Sequence, residues 1–395
     1  MSARSGKAIF ITDLIMTQNN KKLGVYIHIP FCIKKCDYCD FCSFAGVADD
    51  MKERYIDALC RHIGSYADKC EGYTVDTVYF GGGTPTTLKI SQFKRIFDAL
   101  RAAFDITEDA EITSECNPAT ADLEYFKDMR GLGFNRLSIG CQTLNDNELR
   151  ALGRAHTKDD FIKAFSDARA AGFDNISVDL MFGIPEQTEE SFKNTLNGIL
   201  ELAPEHISSY GLIIEEGTPF FVNREKLVLP NEDSEYTMYV GAVELLAEHG
   251  YARYEISNFA KGGKESRHNL KYWRREEYLG FGVSAHSFFF DERIEAVEEL
   301  DRYVRGEFVS RKELICDSDA VNEYVMLKMR LAEGVDEAEF LRLFGKSFES
   351  LFGRALERFI RDDLVVREGG RCRFTDDGLY VSNYVLSEIL EFRNF

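Results

Sequence analysis

No apolar run in this 395-residue chain approaches the roughly 18 residues that a spanning helix needs, which excludes a transmembrane segment of that kind. The apolar stretch near its start, AIFITDLIM, is short and broken by Thr12 and Asp13, so the core of a secretion signal is missing too. Basic charge is in short supply. Against 67 Asp and Glu stand 48 Lys and Arg, a formal net charge of -19, the wrong sign for a nucleic-acid footprint. Tryptophan occurs once, at Trp273, so its fluorescence reports on one place only. These absences predict a soluble, cytoplasmic protein with no nucleic-acid partner and no membrane span, and leave peripheral membrane contact open.

Cysteine is not scarce, but ten in a chain of this length do not make a disulfide scaffold. Four fall within eleven residues, Cys32 to Cys42 in CIKKCDYCDFC, straight after the β-rich run Gly24 to Ile29 and Pro30. Structural zinc sites usually join two cysteine pairs across a longer stretch of chain. One tight loop suits a compact cluster instead. Thiolates ligate iron–sulfur clusters one per iron, so Cys32, Cys36 and Cys39 on a cubane leave the fourth iron open to a ligand. Cys42 is read as a nearby small residue, since a fourth thiolate would close that position.

CxxxCxxC after YIHIP resembles the radical S-adenosylmethionine (SAM) superfamily, and the resemblance implies a [4Fe-4S] cluster whose open iron is chelated by SAM. The rest of the chain suits it. From Val75 onward, short β-branched runs alternate with helical patterns, the signature of βα units. The expected strands are Val25 to Ile29, Thr77 to Phe80, Glu111 to Glu115, Arg136 to Gly140, Ile176 to Met181, Ile207 to Ile214 and Tyr254 to Asn258. Sequence order alone leaves barrel and open sheet unresolved. The resemblance favours an α/β fold with a partial, open (β/α)6 barrel of the TIM type and extra edge strands, reacting groups lying at the C-terminal strand ends. The expected partition is an N-terminal extension over 1–22, a core with its edge extension over 23–316, and a C-terminal domain over 317–395.

Gly81, Gly82 and Gly83 leave the second strand in GGGTP, where missing side chains permit close backbone approach to a ligand. Glu115 and Gln142 end later strands and Asp179 lies within another; such groups suit ribose hydroxyls and an ammonium group. Arg154, in LGRAHT, offers a fork of donors for a carboxylate.

YIHIPFC, GGGTP, ECNP, RLSIGCQ, DLMFGIP, EEGTPF, RYEISNFA, RHNLKYW and GFGVSAHS follow in an order that resembles the oxygen-independent coproporphyrinogen III oxidase group and its relatives, the HemW-type haem chaperones. The resemblance implies SAM contacts at Tyr26, Tyr38, Gly82, Gly83, Thr84, Glu115, Gln142, Arg154 and Asp179, with backbone contacts at Ile213 and His286. Two departures bear on the branch. The decarboxylating oxidase carries CxxxCxxCxC, where this chain has Phe41; and 31 residues precede Cys32, where the oxidase has a longer arm. Both resemble the chaperone branch, which implies haem binding and delivery to acceptor haemoproteins; the alternative is a SAM-cleaving oxidase acting on a tetrapyrrole.

His268, Asn269, Tyr272 and Trp273, in the RHNLKYW loop, resemble the HNxxYW element linked to haem in that branch; the alternative is a packed structural loop at the barrel mouth, with His268 hydrogen-bonded rather than ligating. Histidine ligates haem iron, and aromatic rings cover an apolar macrocycle. The tail has helical patterns and then LVVREGGRCRF, a hairpin turning at Gly369-Gly370, together resembling a winged-helix domain. Its 16 acidic and 11 basic residues give a net charge of -5, which opposes phosphate binding and favours a docking or lid role.

Overall fold

The computed structural model describes residues 21–390. Most of the expected N-terminal extension lies outside that range, although Lys21 and Lys22 already belong to the first strand, pairing with Tyr73 and Thr74. Strand β1 (Lys21–Ile29) runs into the cysteine loop, whose two ends are held by the short parallel pair β2 (Phe31–Cys32) and β3 (Phe44–Ala45). Then come β4 (Tyr73–Gly82), β5 (Asp105–Cys116), β6 (Arg136–Gln142), β7 (Ile176–Phe182) and β8 (His206–Gly211). Neighbours in the series β1, β4, β5, β6, β7, β8 pair in parallel, with helices in the connections. This is the expected six-unit partial barrel.

The sheet does not close. Beyond β8 lie β10 (Asn258–Ala260) and β9 (Ala252–Arg253), both antiparallel; beyond β1 lie β11 (Tyr278–Phe281), β12 (His286–Phe289), β13 (Glu292–Ala296) and β14 (Val309–Leu314). The expected strand over 254–258 is therefore wrong. Residues 254–257 are the bend between β9 and β10, and only Asn258 belongs to a strand; in the bend the buried Glu255 carboxylate accepts from the Ser257 amide at 3.3 Å and the Glu255 backbone makes a lone bridge to Leu331. The side chain thus caps a turn. The expected strand over 207–214 ends early, at Gly211, and Leu212 to Ile214 leave the sheet.

Strand alternation explains both faces. On β1 and β4 the outward residues Val25, Ile27, Val78 and Phe80 are fully buried under helices. Phe80 meets Phe93 and Phe134 with ring centroids 5.4 and 5.1 Å apart; burying such a side chain is worth about 1.5–3 kcal/mol. The inward residues are of another kind. Thr77 and Tyr79 on β4, Thr113 and Glu115 on β5, Arg136 and Ser138 on β6, Ser177 and Asp179 on β7 and His206 and Ser208 on β8 give the barrel a polar interior.

The helix Arg267–Trp273 packs into that interior from the side of the early strand residues. The loop expected there is a helix because Ser266 caps it, accepting from the Asn269 amide, while the Glu111 carboxylate accepts from the first amides, those of Arg267 and His268. Buried Lys271 pairs with Asp76 at 2.8 Å. The element lies below the mid-strand residues rather than at the mouth.

A second apolar cluster, from Val321 to Ile389, forms the small C-terminal α+β domain. Its three strands are β15 (Val335–Asp336), β16 (Val365–Glu368) and β17 (Arg371–Phe374), in the order β15-β17-β16. The β16–β17 hairpin turns at Gly369 and Gly370, both at positive φ, as a tight hairpin turn requires.

Candidate functional site

A cavity of about 550 Å³ opens at the C-terminal ends of the parallel strands. Cys32, Cys36 and Cys39 all line it, and several backbone contacts fix the loop that carries them. The Gly83 and Thr84 amides donate to Ile29 and Phe31 carbonyls, each at 2.8 Å; the Asp37 amide donates to Leu152, and its carbonyl accepts from Phe220. Glycine is required at that first contact. A Cβ on Gly83 would stand 2.9 Å from the Ile29 and Phe31 backbone, and one on Gly82, at φ +107°, would enter the His28 ring.

Cys42 behaves differently. It does not line the cavity; its Sγ lies 3.7 Å from the Glu298 carbonyl, and it is half-buried against the apolar core. Three thiols facing one space, with the fourth turned away, fit a cluster that keeps one iron open.

Arg154 stands directly beside this group. Its Nη1 lies 3.6 Å from Cys36 Sγ, its Nη2 donates to the Gly140 carbonyl at 2.8 Å, and its buried Nε has no acceptor. Gln142 ends β6 at φ +68°, an uncommon conformation for a side chain this size, and its Oε1 accepts from Tyr210 at 2.8 Å. Asp179 accepts from Ser138 at 3.0 Å, Ser208 at 2.9 Å and Ser177 at 3.3 Å. Glu115 accepts from the Tyr79 hydroxyl at 3.0 Å and the Gly82 amide at 3.1 Å. Burial, reinforced by the Asp179 charge, pushes the Glu115 carboxyl up to about 7, while those two donors hold it down. Burial likewise raises Asp179, against the pull of its serines and of Arg136.

Of the residues expected around SAM, Tyr38, Gly82, Gly83, Thr84, Glu115, Gln142, Arg154, Asp179 and Ile213 all line this cavity. Two do not. Tyr26 lies one layer back, stacked on Tyr79 with centroids 6.2 Å apart and bonded to His28 at 3.0 Å; His286 is exposed at the start of β12. Of the residues expected to hold haem, only Asn269 lines the cavity. His268 is fully buried, with Nδ1 on the Thr77 hydroxyl at 2.8 Å and Nε2 on the Tyr272 hydroxyl at 2.7 Å. Burial, then the charges of Lys271 and Arg136, lowers its pKa to about 3, so the ring is neutral and both nitrogens are occupied. As an axial ligand it would have to break that network. Trp273 is half-buried at the end of the helix.

Sequence reading missed Tyr79, Tyr210, Arg136 and the three serines around Asp179. For all but Tyr210 the signal was register: each sits an even number of residues from an expected contact on the same strand or opposite one across the sheet.

Comparison with known proteins agrees with this arrangement. The family model for the radical SAM superfamily matches residues 26–199, and that for the HemN C-terminal domain matches 317–381. The heme chaperone HemW of Bacillus subtilis is 34% identical over 375 residues, covering 92% of this chain and 98% of that protein. The protein of the same name from Lactococcus lactis is 33% identical, covering 94% and 98%. The structure of coproporphyrinogen III oxidase (HemN) from Escherichia coli, described as a radical SAM enzyme, superposes with a TM-score of 0.83 at 25% identity, over 98% of this chain and 94% of that one. Among the described residues no helix is long and apolar enough to cross a membrane. With three thiols on one cavity, six parallel strands around it and relatives matched over more than nine-tenths of this chain, the chain belongs to the radical SAM superfamily and, within it, to the HemW family.

Proposed function

We propose that this protein is a cytoplasmic haem chaperone that carries a [4Fe-4S] cluster on Cys32, Cys36 and Cys39, binds SAM above Glu115 and Asp179, and holds haem for delivery to acceptor haemoproteins. One observation carries the cofactor assignment: Arg154 reaches from Cys36 to Gly140 with its buried Nε unpaired, so a carboxylate bound beside the cluster would complete it. When bound, the cluster would supply an open iron and a source of single electrons. The chain's own part is to orient and exclude. Gln142 and Asp179 suit ribose hydroxyls, Gly82 to Thr84 allow close approach of the methionyl part, and Tyr38 and Ile213 cover the opening. His286 and Tyr26 enter this scheme only through backbone or through the layer behind.

The chaperone reading over the oxidase reading rests on Phe41, which stands where the oxidase pattern has a further cysteine, and on relatives named heme chaperone. Phe41 is 66% exposed at the cavity rim, so the position offers an apolar face instead of a thiol. In the Arg267–Trp273 helix the part in holding haem is assigned to Asn269 at the floor; Tyr272 and Trp273, expected to cover the ring, lie outside the cavity lining, and His268 supports the helix. Anaerobic incubation of the cluster-loaded protein with SAM, a reductant and coproporphyrinogen III tests the choice. The chaperone reading expects no protoporphyrinogen IX; its formation would make this an oxidase.

A further inference from the structure

The cavity contains two arginines, and the function proposed above employs one. Arg154 serves the space beside the cluster. Arg136 comes from the start of the same strand, four residues before Gly140 and so about 13 Å of strand below it. It is 2% exposed yet lines the cavity, and its buried Nε meets no acceptor. Among the described residues it has no ion-pair partner. Asp179, which feels the Arg136 charge, is already committed to Ser138, Ser177 and Ser208. A buried guanidinium left without an anion is costly to a fold, and such charges are normally paired.

The groups around Arg136 suit an anion. Asn269, on the floor helix, and Ser257, in the bend before β10, line the same cavity, and neither spends its side chain on a protein hydrogen bond among the described residues. The two histidines nearby, His206 and His268, are held neutral by burial and bring no competing cation. A fork of guanidinium donors with an amide and a hydroxyl beside it is the chemistry that receives a carboxylate.

We propose that this floor is a second anion subsite, in which Arg136, Asn269 and Ser257 receive a carboxylate of the bound organic ligand, separate from the SAM carboxylate assigned to Arg154. The identity of that ligand rests on the haem reading, under which the carboxylate is a haem propionate. The subsite itself rests on the unpaired arginine.

The test uses cluster-loaded protein with saturating SAM, so that Arg154 is engaged, and compares sodium propionate with sodium chloride at equal ionic strength. Wild type should show a saturable rise in melting temperature specific to propionate. Arg136→Gln should lose it. Should that variant not fold, Arg136→Lys, which keeps the charge but not the fork, should need severalfold more propionate for half-saturation. No propionate-specific rise in wild type, or an unchanged half-saturation in the variants, overturns the subsite. A second arm measures haemin against haemin dimethyl ester, which keeps ring and iron but lacks the carboxylates. Wild type should prefer haemin by about tenfold, and Arg136→Gln should bind both alike. Propionate stabilisation without any haemin binding keeps the subsite and removes the haem reading. Equal binding of haemin and ester with no propionate effect removes the subsite and keeps the haem reading.

Discussion

His268 and Thr77 share a 2.8 Å hydrogen bond inside the barrel, joining the helix that forms its floor to the second parallel strand. The Tyr79 ring stacks on the same imidazole, with centroids 5.3 Å apart, and its hydroxyl donates to Glu115. The HNLKYW element is thereby tied to the cavity through its structure. His268→Ala would leave Thr77 and Tyr272 without partners and open a void, a loss of about 2–4 kcal/mol in chemical denaturation. Haem bound to the folded fraction should keep the wild-type Soret band. A changed band at unchanged stability would instead make His268 an axial ligand.

Cys42 and Cys36 should respond oppositely to the same substitution, because one faces the Glu298 carbonyl and the other the cavity. Cys42→Ser should retain the iron and sulfide content and the absorbance of the wild type; Cys36→Ser should lose them. Equal loss in both would add Cys42 to the ligand set.

Arg154→Ala should weaken SAM binding tenfold or more in calorimetry. Removing a charged hydrogen-bond partner typically costs about 1.5–3 kcal/mol, and about 1.4 kcal/mol is tenfold in affinity. Unchanged affinity would take Arg154 out of the site.

Acid should erode stability through buried neutral histidines. His62, bonded to the Tyr303 hydroxyl at 2.9 Å and stacked on Phe308 with centroids 4.5 Å apart, has its pKa lowered to about 3, by burial first and then by Lys69. Its folded form stays neutral while the unfolded chain takes up a proton below about 6.5, so its contribution is complete above pH 6.5 and is lost as the pH falls towards 3. In His62→Phe that dependence is absent. The stability gap between wild type and variant should therefore shrink by about 1.4 kcal/mol per pH unit between pH 6 and 4, read from denaturation midpoints. Glu115 works in the reverse sense: its carboxyl, held at about 7, favours the folded state most below about 4.5 and loses that advantage as the pH rises to 7.

Much of this was legible in the chain because the barrel's requirements are local. Val25 and Ile27 alternate with Tyr26 and His28, so β1 declares its two faces, and the GGG run and the cysteine spacing are contiguous signals. The errors share one cause. Tyr254 to Asn258 has strand composition, but Glu255 turns its carboxylate onto the Ser257 amide and bends the chain. RHNLKYW carries no strong helical pattern, and its helix is secured by Glu111, more than 150 residues earlier. Tyr210 looked like an ordinary strand residue until the fold set its hydroxyl on Gln142, and Arg136 until its strand turned it into the cavity.

The most direct test of the account is an anaerobic haemin titration of the cluster-loaded protein, following the Soret band and the fluorescence of Trp273. The account predicts a saturable Soret shift with a one-to-one end point and quenching of Trp273 over the same range. A spectrum that only adds free haemin linearly, with Trp273 unquenched, would contradict it.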